Sequence, residues 1–188
     1  VNTVKKPISL KMRIGVTEEN KSLFLDIAKI AEQEGIQMIT LHGRTVSQGY
    51  SGHADWDMIK KLKENSSVPI VGNGDITSPE IAKKVLDYTG CDYIMIGRGA
   101  MGNPFIFEQI NDYLECGEYK QYTLTDRLEA FVTYMELTEK YNIRFANIKQ
   151  QAIRFTKGTV GGAQLRNRLS TAKNTDELKE LLLQKVTV

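Results

Sequence analysis

Short apolar runs alternate with helix-length amphipathic segments over the first hundred residues. The runs that predict β-strands are Pro7–Ile14, Ile36–Leu41, Pro69–Gly72 and Asp92–Ile96. Between them, Thr17–Glu34, Asp55–Glu64 and the residues after Gly72 have the spacing of amphipathic helices. Strands that alternate with helices in this way predict a parallel sheet built from βαβ units.

The pattern changes after Met101, where helices follow one another without strands. The expected elements are a short helix at Pro104–Tyr113, a polar linker at Cys116–Thr123, helices at Leu124–Tyr141 and Phe145–Thr156, a turn at Gly158–Gly162, and two short helices near Thr175. Thr125 is a candidate cap for the first long helix. We therefore expect an α/β domain over residues 1–115 and a small all-α domain over 116–188.

Glycine-rich turns follow the third and fourth strands. They contain Gly72, Asn73, Gly74 and Asp75 in the first turn, and Gly97, Arg98, Gly99 and Ala100 in the second. Small residues let backbone N–H groups approach a phosphate closely, and (β/α)8 barrels bind phosphate in the loops after strands 7 and 8. The four strands thus match the C-terminal half of a TIM barrel, because 188 residues are too few for a complete one.

Several polar side chains are candidates for the mouth of this half-barrel. Lys11 and Arg13 lie two residues apart and therefore share a strand face. His42 directly follows the second strand, close to Arg44. The loop after them is long, glycine-rich and aromatic at Tyr50, which is typical of loops that close over a ligand.

Composition and charge narrow the functional classes. The chain is 41% hydrophobic and 26% charged, with a net charge of +2. Two cysteines outside any CxxC spacing and two histidines predict no metal site, and a reducing, cytoplasmic setting is the default expectation. No run is long enough to span a bilayer, and we expect neither a signal peptide nor a membrane partner.

Basic residues without acidic neighbours occupy the helical region. Between Lys140 and Asn174 the chain has no Asp or Glu. It contains eight cations there: Lys140, Arg144, Lys149, Arg154, Lys157, Arg166, Arg168 and Lys173. A run of this kind favours a surface for a polyanion, most plausibly nucleic acid, over a solvated helix face.

Linked motifs give the chain a family resemblance. KMRIG (Lys11–Gly15), ITLHGRT (Ile39–Thr45), PIVGNGDI (Pro69–Ile76) and YIMIGRGAMGNPFIF (Tyr93–Phe107) resemble the C-terminal half of a tRNA-dihydrouridine synthase. FTKG and AQLRNRL (Phe155–Gly158, Ala163–Leu169) resemble the tRNA-binding domain of that family. The tail departs from the family pattern where many members have Arg-Lys-His and a Trp, because Lys149, Gln150, Gln151 and Arg154 stand here.

The resemblance implies an FMN enzyme that reduces uridine in tRNA to 5,6-dihydrouridine with NADPH. It places Lys11 and His42 beside the flavin. It implies phosphate contacts from Asn73, Gly74, Asp75, Gly97 and Arg98. Arg13 and Arg44 are candidate contacts to flavin or uracil, and the candidate tRNA contacts are Lys149, Arg154, Lys157, Arg166 and Arg168.

One part of the family's machinery is missing from the sequence. The proton-donating cysteine of the family lies in an Asn-x-Gly-Cys-Pro-like motif, which neither Cys91 nor Cys116 matches. We therefore expect no catalytic residue in this chain, a donor cysteine upstream of Val1, and at best weak binding of FMN by this polypeptide alone.

Two alternative functions remain open at this point, and the half-barrel has one physical consequence. One alternative is another FMN-dependent barrel such as a dihydroorotate dehydrogenase, which shares the phosphate turns but has no basic helical tail. The other is a non-enzymatic module that binds RNA through its tail, with the half-barrel as scaffold. Half a barrel leaves sheet edges unpaired at Pro7–Ile14 and Asp92–Ile96, so we expect self-association through them.

Overall fold

A computed structural model of the chain describes residues 3–157 and 162–186. Within them, four strands form one sheet: β1 (Ser9–Arg13), β2 (Met38–His42), β3 (Ile70–Asn73) and β4 (Tyr93–Met95). The strands lie in the order β1-β2-β3-β4, and every neighbouring pair is parallel. The predicted parallel sheet is confirmed, and β1 and β4 are its edges.

Eight α-helices occur in the described residues. Three connect the strands: α1 (Phe24–Gln33), α2 (Trp56–Glu64) and α3 (Pro79–Thr89). Five follow β4: α4 (Ile106–Cys116), α5 (Leu124–Lys140), α6 (Phe145–Phe155), α7 (Gly162–Thr171) and α8 (Thr175–Val186). In the described part of the chain, no helix combines the length and the apolar content needed to cross a bilayer.

The chain divides into two compact units. The sheet unit comprises Val1–Gly99 and Tyr113–Glu115, and the helical unit comprises Ala100–Asp112 and Cys116–Val188. Most of α4 therefore groups with the helices that follow it, whereas we expected the boundary to fall between residues 115 and 116.

One face of the sheet packs against the connecting helices. Ile39, Leu41 and Ile70 on this face are fully buried, as is Ile59 on α2. Gly72 leaves room for that helix, because a β-carbon there would lie 3.4 Å from Ile59 and 3.0 Å from the sulfur of Cys91. Cys91 thus lies on the helix side of the sheet.

The opposite face carries two rows of mostly polar side chains, of which Thr40, Val71 and His42 are buried. Residues paired in register on parallel strands point to the same side. The first row is Lys11, Thr40, Val71 and Tyr93, and the second row, nearer the carboxyl ends, is Arg13, His42, Asn73 and Met95. Lys11 and Tyr93 are exposed.

The first helix begins later than the sequence pattern predicts. A 3₁₀ turn at Glu18–Asn20 precedes it, because the Asn20 side chain accepts hydrogen bonds from the backbone N–H groups of Val16 and Thr17 at 2.8 and 2.9 Å. α1 buries Phe24 and Ala28. It leaves an apolar stripe that is 49–60% exposed, formed by Leu23, Ile27 and Ile30.

The helical unit has its own apolar core. Phe131 on α5 packs edge-to-face against Phe155 on α6, with ring centroids 5.1 Å apart. The cap of α5 is Thr123 rather than Thr125, since Thr123 Oγ1 accepts from the N–H of Asp126 while its own N–H donates to the Asp126 carboxylate. The expected cap was therefore wrong by two residues.

Candidate functional site

The turns after β3 and β4 meet at the carboxyl edge of the sheet. Gly99 lies so close to the first turn that a β-carbon on it would collide with the carbonyl oxygen of Ile76. Asn73 Nδ2 donates to the carbonyl oxygen of Met95 at 2.7 Å and so joins the ends of the two strands. The two turns that the sequence predicts as a phosphate site are therefore adjacent.

The first turn has a backbone that favours small residues. Gly74 has φ 132° and Asp75 has φ 58°. A β-carbon at Gly74 would lie 2.5 Å from that of Ala54, and Trp56 Nε1 donates to the Gly74 carbonyl oxygen at 3.2 Å. The indole of Trp56, the first residue of α2, therefore fixes this turn.

The Asp75 carboxylate accepts hydrogen bonds from two residues of the loop after β2 and lies within ion-pair distance of Arg98 in the second turn. Arg44 Nη2 lies 2.7 Å from both carboxylate oxygens, and the Ala54 N–H donates at 2.7 Å. Arg98 Nη2 is 3.5 Å away. Burial alone would raise the pKa of Asp75, but these hydrogen bonds and the two arginines together lower it below its usual value. Asp75 is therefore an ionised group that joins both turns to the loop after β2.

Arg44 lies inside the protein, at 1% exposure. Besides Asp75, it donates from Nε to the Ser51 carbonyl at 3.2 Å and from Nη2 to the Gly52 carbonyl at 2.7 Å. Nη1 is buried and has no hydrogen-bond partner among the described residues. The sequence predicts that Arg44 contacts flavin or uracil. In the structure its Nε and Nη2 atoms already bind the loop after β2 and Asp75, so only Nη1 is left to make such a contact.

That loop, Gly43–Asp55, closes on itself and is called the β2 loop here. Its ends meet through the Asp55 N–H, which donates to the Gly43 carbonyl at 2.6 Å. Arg13 Nη1 donates to the carbonyls of Thr45 at 2.8 Å and Gly49 at 3.4 Å. Arg13, the other expected flavin or uracil contact, is therefore also a loop anchor.

His42 lies between these cations and is only 8% exposed. Burial, followed by the positive charges of Arg13, Lys11 and Arg44, lowers the pKa of His42 to about 4, although Asp75 acts in the opposite direction. The imidazole is therefore neutral at pH 7, and it acts there as a hydrogen-bonding group rather than as a cation.

The accessible cations of the site are Arg98 and Lys11. The Arg98 side chain is 48% exposed, and its guanidinium carbon lies 4.3 Å from the centroid of the Tyr50 ring. A β-carbon on Gly97 would meet no atom of the described residues within 4 Å. The second turn thus presents an open backbone next to a partly free guanidinium.

In the helical unit, two of the expected tRNA contacts bind the protein itself. Lys149 Nζ donates to the carbonyls of Ser170 and Ala172 at 3.0 and 3.1 Å, at the carboxyl end of α7. Arg166 Nη1 donates to the Thr156 carbonyl at 2.9 Å. These two side chains stabilise helix ends.

The other expected tRNA contacts differ in exposure. Lys157 and Arg168 are exposed, and Arg154 is half-buried. Residues 158–161 of the predicted Gly158–Gly162 turn lie outside the described residues. Lys157 and Arg168 are therefore the members of the set that the helical unit offers most openly to a partner.

Sequence reasoning did not assign Tyr50 or Trp56 to the site. Both lie in or directly after the β2 loop, and their partners are 48 and 18 residues away along the chain. The sequence does contain a signal for this loop. The connection between β2 and α2 is longer than such connections usually are, and it has an aromatic residue between the glycines at 49 and 52.

Parallel βα repeats with two adjacent glycine turns at the carboxyl edge, followed by a set of helices, define an α/β protein. Comparison with known proteins then assigns the family. The family model of dihydrouridine synthases matches residues 1–188, and the chain belongs to that family.

Curated relatives carry the same name. The chain is 44% identical over 142 residues to a probable tRNA-dihydrouridine synthase of Rickettsia conorii, covering 75% of this chain and 43% of the relative. It is 48% identical over 132 residues to tRNA-dihydrouridine synthase B of Vibrio parahaemolyticus, covering 70% and 41%. It is 52% identical over 117 residues to tRNA-dihydrouridine synthase B of Vibrio vulnificus, covering 62% and 36%. The chain thus spans about two fifths of the length of these relatives.

Proposed function

We propose that this chain is the C-terminal part of an FMN-dependent tRNA-dihydrouridine synthase, which reduces uridine in tRNA to 5,6-dihydrouridine with NADPH. In this proposal the sheet unit is half of a (β/α)8 barrel, and the helical unit is the tRNA-binding domain. Family membership and the names of the relatives support the reaction class. The cytoplasm, where tRNA is modified, is the proposed location.

We place the phosphate of FMN at the meeting point of the two glycine turns, and the adjacency of these turns is the observation that supports this placement. Gly74 and Gly99 are sites where a β-carbon would collide with protein atoms, whereas Gly97 faces open space. Arg98 is half-exposed beside that space. We propose that Asn73, Gly74, Asp75 and Gly97 contribute backbone groups and that Arg98 contributes its charge.

FMN, when bound, would carry reducing equivalents from NADPH to the uracil ring. Lys11 is exposed on the same sheet face as His42, and its cation favours an electron-rich ring system placed over that face. The neutral His42 imidazole orients a polar group without adding charge. Arg13, half-buried at the end of β1, supplies further positive potential at the same edge.

Neither cysteine of this chain suits protonation of the uracil. Cys91 is buried on the helix side of the sheet, opposite to the face of Lys11 and His42. Cys116 is exposed in the helical unit. We therefore propose that the donor belongs to the region of the relatives that this chain does not match, and that the chain alone is inactive.

The open sheet edges support a further part of the proposal. β1 and β4 have one neighbour each in the described sheet, and α1 exposes the apolar stripe of Leu23, Ile27 and Ile30. Unpaired edges and an exposed apolar stripe favour pairing with more sheet. We propose that another half-barrel covers them, supplied by upstream sequence or, in its absence, by a second copy of this chain.

A chimera tests the proposed reaction. The N-terminal part of the Vibrio parahaemolyticus relative, joined upstream of Val1, is incubated with FMN, NADPH and unmodified tRNA, and dihydrouridine is measured by mass spectrometry. We expect product from the chimera and none from the 188-residue chain. The matched control is the chimera with Lys11→Met, which is expected to lose at least tenfold in rate. Dihydrouridine made by the chain alone, or full activity of the Lys11→Met chimera, contradicts the proposal.

A further inference from the structure

Arg98 has two different neighbours at the second glycine turn. The Asp75 carboxylate lies 3.5 Å from Arg98 Nη2, and the Tyr50 ring centroid lies 4.3 Å from its guanidinium carbon. Asp75 already accepts from Arg44 and from the Ala54 N–H at 2.7 Å. The Asp75 carboxylate is therefore already bound by other donors of the site, whereas the contact given for the Tyr50 ring is the one with Arg98.

The β2 loop fixes the place of Tyr50. The residue stands between Gly49 and Gly52, which adopt φ 56° and 60°. Arg13 donates to the Gly49 carbonyl on one side, and Arg44 donates to the Gly52 carbonyl on the other. Tyr50 is 65% exposed as a residue, yet hydrogen bonds hold the segment on both sides of it, so its ring contacts Arg98 from a position set by the protein.

An aromatic ring and a carboxylate hold a guanidinium in different ways. The ring attracts the cation through its quadrupole, without neutralising its charge and without using its N–H groups. A carboxylate accepts those N–H groups and competes with an incoming phosphate for them. The contact with Tyr50 therefore leaves Arg98 able to donate to an anion.

We propose that Tyr50 is a positioning residue that holds the Arg98 guanidinium for the terminal phosphate of a flavin nucleotide, and so sets the preference for FMN over unphosphorylated riboflavin. This inference rests on the proposed function and names a specificity-determining residue within it. Tyr50 acts through Arg98, so its effect must vanish when the ligand has no phosphate or the guanidinium is absent.

The test compares dissociation constants for FMN and riboflavin, measured by quenching of flavin fluorescence with this chain joined to the N-terminal part of the Vibrio parahaemolyticus relative, as in the chimera above. We expect Tyr50→Ala to weaken FMN binding about three- to fivefold, the range for an exposed cation–π contact, and to leave riboflavin binding unchanged. Tyr50→Phe keeps the ring and is expected to bind FMN within about twofold of the original chain. Tyr88→Ala is the matched control, because Tyr88 is also exposed and lies under Lys60, 5.4 Å from its ring centroid.

A double-mutant cycle with Arg98→Ala decides the route of the effect. We expect Tyr50→Ala to change nothing further in the Arg98→Ala background. An equal loss of FMN and riboflavin binding, a loss in Tyr50→Phe as large as in Tyr50→Ala, or a persistent effect without Arg98 overturns the role of Tyr50. A chimera that binds FMN no more tightly than riboflavin overturns both this inference and the proposed phosphate site. A preference abolished by Arg98→Ala but kept in Tyr50→Ala overturns the inference alone.

Discussion

The two units of this chain place their charged side chains in different ways. In the sheet unit, arginines at 13 and 44 donate to loop carbonyls and to Asp75, and the geometry of the glycine turns depends on these contacts. In the helical unit, an apolar core forms the structure, and cations cap helix ends or remain exposed. Removing one of these charges in the sheet unit is therefore expected to lower stability. Removing an exposed charge in the helical unit is expected mainly to change the surface potential.

The largest effect is expected from Asp75→Asn. The variant leaves the buried Arg44 guanidinium without its anionic partner, and we expect a loss of about 3 kcal/mol in the free energy of unfolding, measured with urea. The matched control is Asp87→Asn, since Asp87 pairs with Lys83 on the exposed face of α3 and is expected to cost no more than about 0.5 kcal/mol. Equal losses in the two variants would show that the contacts of Asp75 stabilise the sheet unit no more than an exposed ion pair of the same unit does.

Gly99→Ala tests whether the approach of the two glycine turns limits the fold. The added methyl group would collide with the Ile76 carbonyl oxygen, so we expect a loss of about 2 to 3 kcal/mol in the free energy of unfolding. Gly97→Ala, two residues earlier, adds the same methyl group into open space and is the control. A tolerated Gly99→Ala would show that the turns separate at little cost.

The pH dependence of stability reports on His42. Its pKa is lowered to about 4 in the folded chain, from 6.5, so the unfolded chain binds more protons between these values. The contribution of His42 to the free energy of unfolding is therefore fully present above about pH 6.5, and it falls by about 2 kcal/mol as the pH drops towards 4. Urea unfolding at several pH values checks this. His42→Gln is expected to flatten the slope, whereas the exposed His53→Gln keeps it; the reverse outcome would contradict the buried site.

The smallest effects distinguish capping cations from exposed ones in the helical unit. Lys149→Met removes the donations to the end of α7 and is expected to cost about 0.5 kcal/mol in thermal unfolding, with no change in the salt dependence of tRNA binding. Lys157→Met is expected to leave stability unchanged and to lower the slope of log affinity against log salt by about 0.7 to 0.9. Fluorescence anisotropy over a salt series measures that slope, and an unchanged slope in Lys157→Met would exclude Lys157 from the tRNA surface.

The alternation of apolar runs was enough to predict the parallel sheet, because strand and helix periods differ clearly in this chain. The start of α1 was not predictable in the same way. Asn20 binds the backbone N–H groups of Val16 and Thr17 and holds a 3₁₀ turn, which competes locally with the helix. Thr123 and Thr125 are both good caps by residue type, and only Asp126 three residues after Thr123 decides between them.

The site was predictable as a location but not as a set of contacts. Glycines after adjacent parallel strands place the turns at one edge, and the register places His42 beside Asn73. The direction of the Arg44 side chain depends instead on carbonyls of the β2 loop, whose path has no regular period in the sequence. Side chains that bind irregular backbone are therefore the part of a site that sequence patterns describe least.

The closed base of the β2 loop has a consequence for how such proteins diversify. The Asp55 N–H and the Gly43 carbonyl oxygen join its two ends at 2.6 Å, so a change at its tip need not displace either flanking element. Exchange or lengthening of the tip is therefore expected to change the surface beside Arg98 while the register of β2 and the start of α2 stay fixed.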